Sequence, residues 1–139
     1  MALAAQLGVE ERVLFPGQVQ MAPWYGAADL AVSASRSEGL PFNIMEAMYC
    51  GLPVVASRVK GHTDLLEESG AGLLYPYGDW AACAGCIQEL ILDRELTARM
   101  GERGQRMVEA YTLDRVLPAV MDQYGVLVPL GRLASAEPV

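Results

Sequence analysis

Short apolar runs of about four to six residues alternate with helix-like segments along most of this 139-residue chain. Strands separated by helices indicate βαβ units and a parallel sheet. The sequence therefore predicts an α/β fold, with a parallel sheet of about four strands flanked by helices on both faces. The predicted strands are residues 12–17, 30–35, 53–57 and 71–75, and the main predicted helices are residues 21–28, 41–50, 62–68, 79–92, 95–110 and 113–128.

Composition limits the class of protein. Hydrophobic residues make up 53% of the chain and charged residues 19%, which suits one domain with a continuous core. The net charge of -7 argues against nucleic-acid binding, because phosphate binding needs a basic surface. No apolar run is long enough to span a bilayer and no signal segment is seen, so a cytoplasmic protein is expected. Residues 1–128 are predicted to form the domain and residues 129–139 a frayed tail.

The three cysteines are an odd number and do not suggest a disulfide framework. Cys83 and Cys86 have C-x-x-C spacing, but they lie inside a predicted helix with no second pair for a metal ion. Helix packing is the favoured interpretation of this pair, and redox or metal chemistry is the alternative.

The segment richest in chemical information is residues 35–57. A predicted strand ends near Ser35, and Pro41 suits the first position of the following helix, which Gly51 closes as a left-handed cap. A helix N-terminus at the carboxyl end of a parallel strand is where open α/β sheets bind ligands. Its free N–H groups and dipole favour a phosphate or diphosphate. Gly39 allows the backbone to approach such a ligand closely.

Helical geometry, at about 100° per residue, separates Glu46 from the predicted packing stripe. Glu46 then lies one turn into the helix, where its carboxylate is able to accept two hydrogen bonds from a vicinal diol such as that of a ribose. Glu38 lies in the loop, nearer the other end of a bound nucleotide. Taken singly, each acid is better explained without a ligand, by the helix dipole for Glu46 and by solvation for Glu38. The predicted stripe is Phe42, Met45, Met48 and Tyr49, and the predicted flank is Asn43, Glu46 and Cys50.

In combination, these residues resemble the retaining glycosyltransferases of family 4, also called glycosyl transferases group 1, which have the GT-B fold. Glu38 and Glu46 match the E-x7-E signature of that family, inside the stretch S-R-S-E-G-L-P-F-N-I-M-E-A-M. The continuation C-G-L-P-V-V-A-S, the upstream Y-G-A-A-D-L and the downstream G-A-G-L-L are also typical. The resemblance extends over residues 7–124.

The resemblance implies a Rossmann-like domain that forms the C-terminal, donor-binding half of a hexosyltransferase. Such an enzyme transfers a sugar from a nucleotide diphosphate sugar to a saccharide or glycolipid acceptor with retention, in bacterial polysaccharide or glycoconjugate biosynthesis. It implies that Glu46 holds the ribose and that Glu38, the catalytic residue, contacts the transferred sugar. It also implies that Gly61 and His62 contact the donor. Contact by the Gly61 backbone is favoured over contact by the His62 ring, for which a solvated loop histidine is the alternative. The other implied donor-binding residues are Gly39, Leu40, Pro41, Phe42 and Asn43.

The resemblance also sets expectations for the rest of the enzyme. The acceptor-binding N-terminal domain is not seen, so this chain alone is expected to be inactive. No D-x-D motif is present, so neither a metal nor another cofactor is expected. The helix from Leu113 resembles the one that returns to the partner domain, and its apolar side favours self-association when that domain is absent. The full-length protein is expected in the cytoplasm or peripherally at the inner face of the membrane.

Two other functional classes remain open. One is a non-catalytic nucleotide-binding or regulatory Rossmann-like domain, although a G-x-G-x-x-G motif after a first strand is missing. The other is a structural or interaction domain, which predicts no ligand at residues 39–43.

Overall fold

The computed structural model describes residues 2–127, in which helices and short strands alternate. The predicted tail, residues 129–139, lies outside the described residues. The helices are α1 (Ala2–Gln6), α2 (Ala22–Ala27), α3 (Phe42–Tyr49), α4 (Lys60–Ser69), α5 (Trp80–Leu92), α6 (Arg94–Val108) and α7 (Leu113–Leu127); the strands are β1 (Ala31–Ser33), β2 (Val54–Ser57) and β3 (Gly72–Tyr75); single 3-10 turns lie at Glu10–Arg12 and Glu109–Tyr111.

The strands form one parallel sheet in the order β1-β2-β3. Val54 in β2 pairs with Ala31 in β1 and with Gly72 in β3, so β2 is the central strand. All of β2 is buried. A parallel strand covered on both faces has apolar residues on both, which explains the continuous apolar run at the start of β2.

Helices cover both faces of the sheet, as the sequence pattern predicts. Successive residues of β2 point to opposite faces and belong to different core clusters. Val54 packs in a cluster with α3, α4 and α6, whereas Val55 packs with α5 and α6. The predicted α/β fold is therefore confirmed. The first cluster is Ile44, Met45, Met48, Val54, Ala56, Leu65, Leu66, Ala71 and Val108, and the second is Val55, Tyr75, Leu90 and Met100.

The strand predicted at residues 12–17 is wrong, so the sheet of the described part has three strands rather than about four. Residues 13–17 are irregular, and the Leu14 side chain is 71% exposed. An apolar run becomes a strand only where a neighbouring strand supplies hydrogen-bond partners. No strand of residues 2–127 pairs with this segment.

Helix α3 begins and ends within one residue of the predicted bounds, 41–50, but buries a different face. Pro41 immediately precedes the first helical residue, and Gly51 follows with a φ of 78°. Two members of the predicted stripe, Phe42 and Tyr49, are 68% and 60% exposed. The prediction failed because α3 packs on two sides, with Ile44, Met45 and Met48 in the first core cluster and Ala47 in a cluster with Tyr25 of α2. The buried residues of α3 are Ile44, Met45, Ala47 and Met48.

Cys83 and Cys86 pack on α5 in the second core cluster, beside Tyr75. Both thiols are free, and burial raises the pKa of Cys86, which disfavours a reactive thiolate. These observations support the packing interpretation. Among residues 2–127, no group of three His, Cys, Asp or Glu side chains is placed to hold a metal ion. None of the described helices has both the length and the apolar character needed to cross a membrane.

Candidate functional site

The two predicted glutamates lie on the segment that leaves β1 and enters α3. Residues 34–41 form a loop at the carboxyl end of β1, and α3 follows directly. Glu38 is half-buried in this loop, whereas Glu46 is exposed in the second turn of α3. Because β1 and β2 are parallel, the segment after β2, which leads to Gly61, lies at the same edge of the sheet. The structure therefore brings the predicted segments to one edge.

The N-terminal turn of α3 is open to solvent. No side chain of the described residues caps this helix end. The first N–H groups of a helix have no partner within the helix, so an uncapped end suits an anion. Pro41 is buried, whereas Gly39, Leu40, Phe42 and Asn43 are exposed. The predicted phosphate-binding turn is thus accessible.

Gly61 packs directly against the loop of residues 34–41, here called the glutamate loop because it contains Glu38. Its N–H donates a hydrogen bond to the carbonyl of Glu38 at 3.1 Å. A Cβ atom at position 61 would lie 2.4 Å from the carbonyl oxygen of Gly39 and 2.7 Å from that of Glu38. Only glycine allows so close an approach. The Gly61 N–H is therefore engaged with the loop, rather than free for the ligand contact that the sequence suggested.

We expect Gly61→Ala to lower the free energy of unfolding by about 2 kcal/mol, because its methyl group collides with backbone atoms. Gly85→Ala is the matched control, since a Cβ atom there meets nothing within 4 Å. Gly85 lies within α5, so this control should raise stability by about 0.5–1 kcal/mol. Urea unfolding followed by circular dichroism measures both changes. Equal stability of the two variants would contradict the close packing at Gly61.

His62 lies in the interior and is fully buried. Its Nδ1 is 2.8 Å from the carbonyl oxygen of Ser57. Because a carbonyl only accepts, Nδ1 carries a proton and donates it to that oxygen, and Nε2 lies within hydrogen-bond distance of the hydroxyl of Ser33, at 3.2 Å. The solvated-loop interpretation is wrong, and the ring reaches no surface from which to contact a ligand. The sequence suggested surface chemistry because it places His62 next to Gly61, but α4 turns the ring inward.

The polar network around His62 continues to the base of the glutamate loop. The hydroxyl of Ser57 donates to the carbonyl of Ser35 at 2.7 Å, and the hydroxyl of Tyr75 donates to the carbonyl of Ser33 at 3.3 Å. Burial, helped by the nearby Cys83, raises the pKa of Tyr75 to about 12, so the phenol stays a donor at neutral pH. Every buried side-chain polar atom in residues 2–127 has a partner. A fully satisfied buried network makes the base of the loop rigid.

Tyr25 contacts Glu46 directly, and sequence analysis missed it as a site residue. Its hydroxyl lies 3.1 Å from Glu46 Oε2 and 3.2 Å from the carbonyl oxygen of Asn43. Burial, together with the hydrogen bond to Glu46, raises the pKa of Tyr25, so the hydroxyl remains a donor. No local periodicity relates residues so far apart in sequence. The only signal was the position of Tyr25 in the family-like stretch Y-G-A-A-D-L.

A cavity of about 510 Å³ runs along the side of α3. Its walls are mostly apolar or aromatic and include Met21, Tyr25 and Tyr111, and Glu46 is the one charged side chain among its lining residues in the described part. Of the predicted site residues, Phe42 and Glu46 line this cavity. The others lie outside its lining: Glu38, Gly39, Leu40, Pro41 and Asn43 on the loop and the first turn of α3, and Gly61 and His62 on α4. An apolar cavity with a carboxylate suits a ligand that combines a ring with hydroxyl groups.

The parallel sheet, the open helix end and the paired glutamates define a glycosyltransferase domain with the GT-B fold. Residues 1–107 match the family model described as "Glycosyl transferases group 1", and the chain belongs to this family. The resemblance found in the sequence is therefore confirmed.

Curated relatives are considerably longer than this chain. The D-inositol 3-phosphate glycosyltransferase of Streptomyces avermitilis is 34% identical over 125 residues, which cover 88% of this chain and 27% of the relative. The N-acetyl-alpha-D-glucosaminyl L-malate synthase of Bacillus anthracis is 35% identical over 107 residues, which cover 76% of this chain and 28% of the relative. The chain thus spans less than a third of the length of these relatives.

Solved structures show the same architecture. Sucrose-phosphate synthase from Thermosynechococcus elongatus superposes with a TM-score of 0.84 at 31% identity, covering 91% of this chain and 33% of that protein. Anabaena HepE in complex with UDP superposes with a TM-score of 0.83 at 28% identity, covering 90% of this chain and 35% of that protein. A second complex of HepE contains UDP-glucose and superposes with a TM-score of 0.80 at 27% identity.

Proposed function

We propose that this edge of the sheet binds the nucleotide diphosphate sugar of a retaining glycosyltransferase. The observation that carries the proposal is the meeting of Glu38, the uncapped N-terminus of α3 and Glu46 at one edge. HepE binds UDP and UDP-glucose in its structures, which makes uridine diphosphate donors the first to test. In this proposal, Glu46 binds the ribose, residues 39–43 hold the diphosphate, and Glu38 contacts the transferred hexose.

The proposed reaction moves the hexose from the diphosphate to a hydroxyl group of a saccharide or glycolipid acceptor. The bond between the anomeric carbon and the diphosphate oxygen breaks, and its electron pair stays on that oxygen. The acceptor oxygen forms the new bond with retention at the anomeric carbon, and its proton passes to the departing diphosphate oxygen. The leaving diphosphate gains negative charge, which the N–H groups and the dipole of α3 stabilise. No step of this proposal uses a metal ion.

The whole enzyme is proposed to act in polysaccharide or glycoconjugate biosynthesis, in the cytoplasm or at the inner face of a membrane. Since the chain spans 27% and 28% of two relatives, acceptor binding is assigned to the larger enzyme. We expect these 139 residues to bind donor without transferring sugar.

Calorimetry with UDP-glucose, GDP-mannose and NAD, in buffer containing EDTA, tests the proposal. We expect saturable binding of a nucleotide diphosphate sugar that persists in EDTA, because helix N–H groups replace a metal ion at the diphosphate. The proposal is contradicted if neither UDP-glucose nor GDP-mannose binds, or if the binding of the sugar nucleotide is lost in EDTA. Binding of NAD alone favours the regulatory nucleotide-binding alternative.

Helix α7 supports a proposal of self-association. Leu117, Val120, Met121 and Tyr124 are exposed, at a spacing that places them on one side of the helix. We expect sedimentation equilibrium to show association that rises with concentration, and the double variant Leu117→Glu with Met121→Glu to be monomeric. Gln123→Glu is the control, because it adds a negative charge at an exposed polar position of the same helix without removing an apolar side chain. A wild-type chain that stays monomeric at all concentrations contradicts the proposal.

A further inference from the structure

Tyr25 and Glu46 form a contact between a buried side chain and an exposed one. The Tyr25 side chain is only 9% exposed and packs in a small core cluster with Ala47 and Leu52. Glu46, in contrast, is exposed on α3 and lines the open cavity. The Tyr25 hydroxyl therefore presents a fixed donor, 3.1 Å from Oε2, to a side chain that otherwise has several rotamers.

We propose that Tyr25 is a positioning residue for donor binding, whose hydroxyl holds the Glu46 carboxylate in the orientation that receives the 2′ and 3′ hydroxyl groups of the ribose. The inference rests on the proposed ribose role of Glu46. It adds a residue outside the E-x7-E segment to the site.

The chemistry of the carboxylate is compatible with both contacts. An ionised carboxylate has about four lone-pair sites, so one hydrogen bond from Tyr25 to Oε2 leaves Oε1 free and Oε2 partly free. A free glutamate loses side-chain entropy when a ligand fixes it. A carboxylate already fixed by Tyr25 loses less on binding, which is the general advantage of preorganisation.

Tyr25 also lies 3.2 Å from the carbonyl oxygen of Asn43, so its single proton serves two acceptors. A purely structural role would be served by the Asn43 contact alone. The two roles differ in what they predict for ligands that lack the ribose hydroxyls, and this difference defines the experiment.

The test compares UDP with 2′,3′-dideoxy-UDP, titrated by calorimetry into the wild-type chain and its variants. We expect Tyr25→Phe to weaken UDP binding by about three- to tenfold, the effect of immobilising one side chain, and to change dideoxy-UDP binding less than about twofold. In the Glu46→Ala background, Tyr25→Phe should have no further effect on either ligand. Tyr77→Phe is the matched control, because Tyr77 is an exposed tyrosine outside this cavity and its hydroxyl makes no hydrogen bond within residues 2–127.

Two results overturn the inference while leaving the ribose role of Glu46 intact. One is an unchanged preference for UDP over dideoxy-UDP in Tyr25→Phe when Glu46→Ala abolishes that preference. The other is equal weakening of both ligands by Tyr25→Phe, which indicates a structural role. A preference that survives Glu46→Ala contradicts the ribose role itself, and with it the inference. Thermal melts by circular dichroism verify that each variant is folded.

Discussion

Replacement of Glu46 with alanine is expected to weaken UDP binding by about 30-fold, or about 2 kcal/mol, since hydrogen bonds to a charged group contribute about that much. The loss follows from removing the carboxylate proposed to accept both ribose hydroxyls. Calorimetry with UDP measures the change. Glu46→Gln should give a smaller loss, because its amide keeps one acceptor oxygen and loses the charge.

The loss of binding should not come from unfolding. Glu46 is exposed, and alanine has the best helix propensity, so the free energy of unfolding should change by less than about 0.5 kcal/mol. Glu89→Ala is the matched control, since Glu89 is an exposed glutamate on α5, which packs on the other face of the sheet. Wild-type UDP affinity in Glu46→Ala, or a comparable loss in Glu89→Ala, contradicts the assignment.

The largest expected effect on stability is at His62. His62→Ala should lower the free energy of unfolding by about 3 kcal/mol, because it opens a cavity and removes hydrogen bonds from buried polar groups. Within the described residues, the carbonyl of Ser57 then keeps only the N–H of Val59. The hydroxyl of Ser33 keeps only a 3.4 Å contact with the hydroxyl of Ser35. Urea denaturation followed by circular dichroism measures the change.

Lys60→Ala is the control for His62, since it changes the same turn of α4 at an exposed position. Lys60 forms a surface ion pair with Asp64, and such pairs contribute little to stability, so a loss under about 0.5 kcal/mol is expected. If His62→Ala is no less stable than Lys60→Ala, the buried network does not support the loop.

The fold was predictable where local sequence decides structure. The apolar run of β2 predicts a strand covered on both faces, and Pro41 and Gly51 mark the ends of α3. Pairing between strands is not a local property. The run at residues 12–17 is as apolar as a strand requires, yet Leu14 is exposed because no described strand pairs with it.

The site was predictable in the same limited sense. The spacing of Glu38 and Glu46, and the helix that begins between them, are features of one continuous segment. The contacts of Tyr25 and His62 join residues far apart in sequence, so they depend on how α2 and α4 pack. Helical periodicity also placed Phe42 in the packing stripe, although it is exposed, because periodicity does not say which neighbours are present.

We propose that a nucleotide diphosphate sugar binds where β1 leads into α3. The most direct test is a titration of the ¹⁵N-labelled chain with UDP-glucose, followed by NMR of the backbone amides. We expect saturable shifts that are largest at Gly39, Leu40, Phe42, Asn43 and Glu46, with little change along the exposed face of α5. Absence of shifts at residues 39–46, or larger shifts elsewhere, would contradict binding at this site.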